Sequence, residues 1–315
     1  MKYLFGPVPS RRLGISLGID LVPFKTCTYD CVYCECGKTT NKTIRRKEFF
    51  PYRNLIRELN SFLKVKPKLD YITFSGSGEP TLSSIIGKII VYLKMKYPQY
   101  KIAVLTNGSL LYREQVRKDL AQADIVIPSI DSVTLKTFKK INKPHSKLNL
   151  KKIIDGLIEF RKMFKGQLWI EIFIIKGIND SRKEILKIKE LLDKLKPEKI
   201  QLNTLDRPGT EAWVKQVSKK ELLKIKKMIP GSEIIAKFKD KDKYFREHST
   251  SIDKLILSAI SRRPMTIKDL NIILNIKIAE LQKYIRILLD QKRIVTKKEK
   301  RGIFFEIRRQ YNRKY

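Results

Sequence analysis

The sequence predicts an α/β fold built on a parallel sheet, with a second, smaller unit behind it. Three observations carry this. Strand-like and helix-like apolar patterns alternate six times between residues 13 and 205. Each of the six strand-like runs ends in a short polar or glycine-bearing motif. Beyond a charged run at 237–247 the pattern changes to three helices and two strand-like pieces. Strand-then-helix alternation implies parallel pairing with right-handed crossovers. The expected division is 1–238 for the α/β unit, 239–250 for a charged linker, 251–308 for the small unit and 309–315 for a basic tail.

Residues 1–12 contain Phe5-Gly-Pro-Val-Pro-Ser-Arg-Arg12, whose two prolines forbid a helix and favour an extended, draping segment. Arg11 and Arg12 suit a carboxylate or a phosphate, or are a solvated pair. Residues 13–24 place Ile15, Leu17, Ile19 and Leu21 at period two, a strand that ends at a cysteine loop. Helical spacing follows at 48–65 (Tyr52, Leu55, Ile56, Leu59, Phe62, Leu63). Then come strand 71–75, helix 84–96, strand 101–105, helix 113–122 and strand 125–130. Helix 148–164, strand 168–175, helix 182–195 and strand 199–205 complete the series.

The stretch around which these elements are organised is Cys27-Thr28-Tyr29-Asp30-Cys31-Val32-Tyr33-Cys34, three thiols at C-x3-C-x2-C spacing. Thiolates are soft ligands for zinc, copper or iron–sulfur clusters, so three in one loop converge on a metal or are reactive. A four-thiolate zinc site with Cys36 would have to close within ten residues, and the two histidines, His145 and His248, are far off in sequence. Three ligands to a cube of four irons leave one iron open to a chelating substrate or cofactor.

C-x3-C-x-aromatic-C, with Tyr33 as the aromatic, resembles the cluster loop of the radical S-adenosylmethionine (radical SAM) superfamily. The opening Gly-Pro-Val-Pro-Ser-Arg-Arg-Leu-Gly and the Pro-Phe-Lys-Thr before Cys27 resemble its wyosine-synthase-related Fe–S oxidoreductase subgroup. The resemblance spans residues 4–213 and implies an open (β/α)6 partial TIM-like barrel. It implies a [4Fe–4S] cluster held by Cys27, Cys31 and Cys34, with S-adenosylmethionine (SAM) chelating the fourth iron. Reductive cleavage of the sulfonium then gives a 5′-deoxyadenosyl radical that abstracts hydrogen from a substrate. The cofactor carries the hard chemistry, and the protein orients it and excludes water. Such an enzyme needs a reductant such as flavodoxin or ferredoxin.

In barrels of this kind the chemistry gathers at the C-terminal ends of the strands, where every motif of this chain lies. Gly76-Ser77-Gly78-Glu79-Pro80 follows the second strand and resembles the family's Gly-Gly-Glu segment for the SAM amine, with Ser77 in place of a glycine, so that Ser75, Gly76 and Gly78 share that task; a plain turn with a capping acid is the other reading. Asn107, in Thr106-Asn-Gly108, can face the cofactor. Ser129 and Asp131 share a strand face and resemble the family's ribose position, or cap the next helix. Gly177-Ile-Asn179 resembles an adenine-contacting turn. Glu171, among apolar neighbours, needs a partner, and Gln201 and Asn203 share a face leading to Arg207, a candidate for the SAM carboxylate or a substrate. Cys36 is a spare thiol: an alternative ligand, a hydrogen donor, a methyl carrier or a bystander.

Four cysteines in 315 residues, all between 27 and 36, exclude a disulfide framework and imply a reducing compartment, expected to be the cytoplasm. They are also too few for a second cluster. No apolar run approaches 20 residues and no leader pattern precedes the first strand, so neither a membrane span nor secretion is expected. The formal charge of +36 favours polyanionic partners, above all nucleic acid, through counterion release; AT-rich coding that inflates lysine is the bland alternative.

In the small unit Ile252, Leu255, Ile256 and Ile260 make one helix, Thr266 caps a second running to Leu274, and Ile278, Leu281, Ile285 and Leu288 make a third. Strand-like pieces at 293–296 and 302–307 flank a basic connection. This resembles a winged helix-turn-helix, which would offer Lys277, Lys283 and Arg286 on its third helix and Lys297, Lys298, Lys300 and Arg301 on its wing to nucleic acid. Related modules also grip peptides or proteins. The expected function is radical SAM modification of a macromolecule, RNA first and a peptide or protein second, or else a cluster-containing DNA-binding regulator.

Overall fold

The computed structural model describes residues 2–10, 12–205, 209–236, 252–261, 263–274, 276, 278–299 and 301–308. The chain divides into two units, Met1–Phe238 and Lys239–Tyr315.

The first unit starts with β1 (Leu4–Ser10) and β2 (Gly14–Ile19), an antiparallel pair whose register shifts between Phe5 and Val8. Residues 1–12 were expected to drape; most of them form this edge strand, where a proline's missing N–H removes no inner ladder bond. Short β3 (Thr26–Cys27) and β4 (Asn41–Lys42) pair with each other. The remaining order is α1 (Tyr52–Leu63), β5 (Tyr71–Phe74), a 3-10 turn Pro80–Leu82, α2 (Ile86–Lys96), β6 (Lys101–Thr106), α3 (Glu114–Leu120), β7 (Ile125–Pro128), α4 (Leu135–Asn142), α5 (Leu150–Met163), β8 (Gln167–Ile174), α6 (Arg182–Leu195), β9 (Lys199–Thr204), α7 (Lys219–Met228) and β10 (Ser232–Ile234).

The sheet runs β1-β2-β5-β6-β7-β8-β9-β10, parallel from β2 onward. It therefore contains the six expected strands, with one more on each flank. The helices cover one face: Leu55, Leu59 and Leu63 of α1 are buried at i, i+4 spacing, and Ile185, Ile188 and Leu192 of α6 at i, i+3 and i+7. Sheet alternation does the sorting. Ile102 and Val104 of β6 and Ile170, Ile172 and Ile174 of β8 join the helix-side core. Ala103, Ile125, Ile127 and Trp169 pack with Leu13 in a separate cluster on the other face.

That other face is the inside of a curved sheet. Arg12, between β1 and β2, donates from Nη1 to Glu171 Oε2 on β8 at 2.9 Å and to Gln201 Oε1 on β9 at 3.3 Å. β2 and β8 are four strand spacings apart, about 19 Å along a flat sheet, beyond an arginine's reach. The sheet must curl to bring them together, which makes it a partial barrel. Along β8 the interior passes from Trp169 through the Arg12–Glu171–Asn203 layer to Phe173, which packs with Tyr33, Val32, Ile141 and Ile175.

The second unit contains α8 (Ile252–Ile260), β11 (Met265–Thr266), α9 (Ile267–Leu274), α10 (Ile278–Asp290), β12 (Ile294–Glu299) and β13 (Gly302–Ile307). Its strands form an antiparallel sheet in the order β11-β13-β12. Ile256, Leu270, Leu281, Ile285, Leu288 and Phe305 centre its core. Thr266 and Asp269 exchange backbone-to-side-chain bonds at the start of α9. Among the described residues no helix is long and apolar enough to cross a membrane.

Candidate active site

The cysteine loop leaves β2 and is laced to the C-terminal ends of the other strands. Lys25 N donates to Ser77 O at 2.9 Å and Glu79 N to Thr26 O at 3.1 Å, joining it to the end of β5. Thr43 N bonds Cys27 O, and Asp30 N and Val32 N bond Asn142 O and Ile141 O at the end of α4. Glu211 N bonds Val32 O and Thr210 Oγ1 bonds Cys34 O, closing the stretch after β9 over it. Lys25 adopts φ +57°, a left-handed backbone unusual for a lysine; bonds from Thr40 N and Asn41 N to its carbonyl hold it.

Each of the three thiols of the motif receives an N–H donor from a different element. Asn107 Nδ2, after β6, lies 3.5 Å from Cys27 Sγ; Asn142 Nδ2, on α4, lies 3.5 Å from Cys31 Sγ; Lys25 Nζ lies 3.0 Å from Cys34 Sγ. Burial pushes the Cys27 thiol up to about 12 and that of Cys31 well above its ordinary value. Cys34 is lowered to about 6, first by a hydrogen bond from Cys36, then by the Lys25 ammonium, against burial. Cys36 is raised well above the thiol range by the same bond and by burial. Burial lowers Lys25, but the facing Cys34 sulfur outweighs it and the net shift is upward.

Among the described residues no three His, Cys, Asp or Glu side chains gather closely enough for a single metal ion. Thiolates around one tetrahedral zinc stand about 3.8 Å apart, given Zn–S bonds near 2.3 Å. Sulfurs bound to three different corners of an iron–sulfur cube stand further apart. An all-sulfur donor set with N–H donors to the sulfurs is the chemistry such a cluster takes, and the residues fit it.

The strand-end motifs meet this loop, but several turn their polar groups inward. Glu79 is 2% exposed and its carboxylate is occupied: Oε1 accepts from Thr81 N at 3.0 Å, Thr81 Oγ1 at 2.5 Å and Thr106 Oγ1 at 2.6 Å, and Oε2 from Asn107 N at 2.8 Å. It ties the end of β5 to that of β6 and sets Asn107 against Cys27 and Thr28 Oγ1. Burial raises its pKa despite those donors. Gly76, at φ +129°, is required because a Cβ there would stand 1.6 Å from Asp20 Oδ1; one on Gly78 would stand 2.2 Å from Thr26 O. Ser77 is buried, its N–H on Asp20, while Ser75 is half-buried and bonded through its N–H to Ile19 O.

Asp131 is likewise internal. Tyr33 Oη and Asn142 Nδ2 donate to its Oδ2 at 2.7 and 2.8 Å, and Phe173 N to its Oδ1 at 3.1 Å. Burial pushes it up to about 6 even so. The Tyr33 ring stacks on Phe173, centroids 3.9 Å apart. Asn179 is fully buried: its Nδ2 donates to Asp131 O and Phe173 O, and its Oδ1 accepts from Ile175 N. Asp131 and Asn179 thus brace the ends of β7 and β8 beneath Tyr33. Ser129 stays half-buried beside Glu171 through a bridge, and Gly177 is exposed, its N–H on Asp180. Arg207 lies outside the described residues. The partner Glu171 needs is Arg12, supplemented by Asn203 Nδ2 at 2.8 Å.

Sequence reasoning missed Lys25, Asn142 and Asp20. Lys25 had a signal in its position two before the first cysteine; Asn142 and Asp20 had none, since neither lies in a motif. In the second unit Lys283, Arg286 and Lys298 are exposed. Lys297 pairs with Glu299, and Arg301 with Asp269, so Arg301 is committed inside the unit. Lys277 and Lys300 lie outside the described residues.

The model of the radical SAM superfamily matches residues 21–188. A protein of Methanocaldococcus jannaschii known as UPF0026 protein MJ1312 is 40% identical over 274 residues, covering 84% of each chain. A GTPase Obg of Brachyspira hyodysenteriae is 40% identical over 270 residues, 84% of this chain but 39% of that protein's length. The crystal structure of a radical SAM methyltransferase from Sphaerobacter thermophilus shares the fold with a TM-score of 0.55 over 70% of this chain and 66% of that one, at 14% identity. With the motif, the partial barrel and these matches agreeing, the chain belongs to the radical SAM superfamily.

Proposed function

We propose that the protein holds a [4Fe–4S] cluster through Cys27, Cys31 and Cys34 and uses SAM to modify an RNA. SAM and the cluster are the cofactors of its superfamily, and the protein is an enzyme of that superfamily. The observation that carries the residue assignment is the convergence of Asn107, Asn142 and Lys25 on the three sulfurs from three separate elements. When bound, the cluster supplies the electron that cleaves the sulfonium.

The chain's own part is to bind, orient and exclude water. Cys27 and Cys31, held protonated by burial, release their protons on ligation, whereas Cys34 already faces the Lys25 ammonium. Ser75, Gly76 and Gly78 line the loop with backbone groups for the methionine end of SAM, and Ser129 and Gly177 stand at the neighbouring strand ends for the nucleoside end. Glu79, Asp131 and Asn179 position these groups without touching the ligand. Tyr33, braced by Phe173 and Asp131, shields the cluster side from solvent.

RNA is favoured as substrate by the charge of +36. The second unit, read as a winged helix-turn-helix with exposed Lys283, Arg286 and Lys298, recruits it; an electron carrier such as flavodoxin or ferredoxin supplies the reductant, in the cytoplasm. The test is anaerobic reconstitution followed by SAM and dithionite. 5′-Deoxyadenosine should form, and Cys27→Ala, Cys31→Ala and Cys34→Ala should each abolish it; turnover that survives any of them overturns the assignment. Tight sequence-specific DNA binding with no SAM cleavage would instead favour a regulator.

A further inference from the structure

We infer that a cleft beside the cysteine loop, walled by Arg45, Arg46, Arg113, His145 and Lys147, grips the phosphate backbone of the RNA next to the nucleotide that reacts. The inference rests on the RNA reading above and gives that substrate a place on the barrel itself. The cleft encloses about 520 Å³, and none of its lining residues is acidic. Two of its lining residues are tied to the backbone of the cysteine loop: Thr43 N donates to Cys27 O at 3.0 Å and His145 N to Thr28 O at 2.9 Å. The cleft therefore adjoins the loop that carries the first cysteine.

The cations divide into wall and grip. Arg46 is wall: it pairs with Asp119 and donates to Thr81 O and Ser83 O. Arg45 and Lys147 are exposed, and among the described residues neither they nor Arg113 form an ion pair. Arg113 spends only its Nε, on Tyr112 Oη at 3.1 Å, leaving the outer nitrogens of its guanidinium for a ligand. Guanidinium groups match phosphate oxygens in a fork geometry. Unpaired cations around a concave, acid-free surface raise the local potential for a polyanion. Three segments far apart in sequence, 43–46, 113 and 145–147, supply them, a convergence that the solvation of scattered lysines does not require.

The test is fluorescence anisotropy of the full chain against unfractionated transfer RNA over a salt series, with Arg45→Gln/Lys147→Gln as the variant. Both side chains are exposed, so melting should be unchanged, as should SAM cleavage without RNA. The variant is expected to bind about tenfold more weakly, with the slope of log affinity against log salt reduced by about 1.4, the amount that two phosphate neutralisations contribute on a single strand. Wild-type binding with an unchanged slope in the variant would overturn the cleft while leaving the RNA reading intact. If the wild type fails to bind transfer RNA, or if polyglutamate binding shows the same dependence on the two cations and RNA binding does not, both the cleft assignment and the RNA reading fall.

Discussion

Replacing Glu79 by Gln should loosen the candidate site without touching any cysteine. In the native protein its two oxygens accept four hydrogen bonds, three on Oε1 and one, from Asn107 N at 2.8 Å, on Oε2. Glutamine keeps the first oxygen and turns an NH2 group toward the Asn107 N–H, donor against donor. A buried N–H left unpaired costs about 1–3 kcal/mol, and the three remaining bonds lose their charge assistance. Removing a carboxylate that burial already disfavours offsets part of this, so the net loss is about 2 kcal/mol. For a unit of this size that corresponds to about 4–8 °C in melting temperature. The assay is thermal unfolding of the iron-free protein under reducing conditions, paired with the alkylation rate of Cys27, which should rise as Asn107 loosens. A melting temperature within about 1 °C of wild type, with unchanged Cys27 reactivity, would refute the argument that Glu79 is the tie between β5, β6 and the thiol.

Arg12→Met should leave Glu171 buried without its cation and lose about 3 kcal/mol by denaturant unfolding; the double variant Arg12→Met/Glu171→Met should recover most of it, since both side chains are only 14% exposed. Asp131 gives a pH signature: its folded value, about 6, exceeds its ordinary 3.8, so the folded state binds the proton more tightly than the unfolded. The stability it contributes is full below about pH 4 and is lost as pH rises through about 6, on the order of 3 kcal/mol. Asp131→Asn should flatten the urea-unfolding profile in that window. Tyr33→Phe keeps the stack on Phe173 but withdraws one donor from the Asp131 carboxylate, so the same pH dependence should move further upward.

The barrel was legible because parallel strands buried on both faces and amphipathic helices leave strong periodic signals; Ile15-Leu17-Ile19 and Leu55-Leu59-Leu63 state their faces outright. β1 was not, because a two-proline segment lacks a strand's pattern and gains its pairing from the edge position. Helices α4 and α7 escaped because both are short and lysine-rich, with Phe138, Ile141, Leu222 and Ile225 too sparse to mark a stripe before tertiary burial decides it. In the site, the cysteines and the strand ends could be read from spacing alone. Whether a strand-end polar group faces a ligand or its own backbone could not: Glu79, Asp131 and Asn179 occupy family-like positions, yet each is saturated by partners that include backbone groups of other elements. That depends on side-chain direction, which sequence spacing does not encode.

The most direct measurement is iron content and electron paramagnetic resonance of the anaerobically reconstituted, dithionite-reduced protein before and after adding SAM. The account predicts about four irons per chain, a reduced-cluster signal that shifts when SAM binds, and loss of both in Cys27→Ala, Cys31→Ala or Cys34→Ala. One tightly bound zinc per chain, or a signal that SAM leaves unmoved, would contradict it.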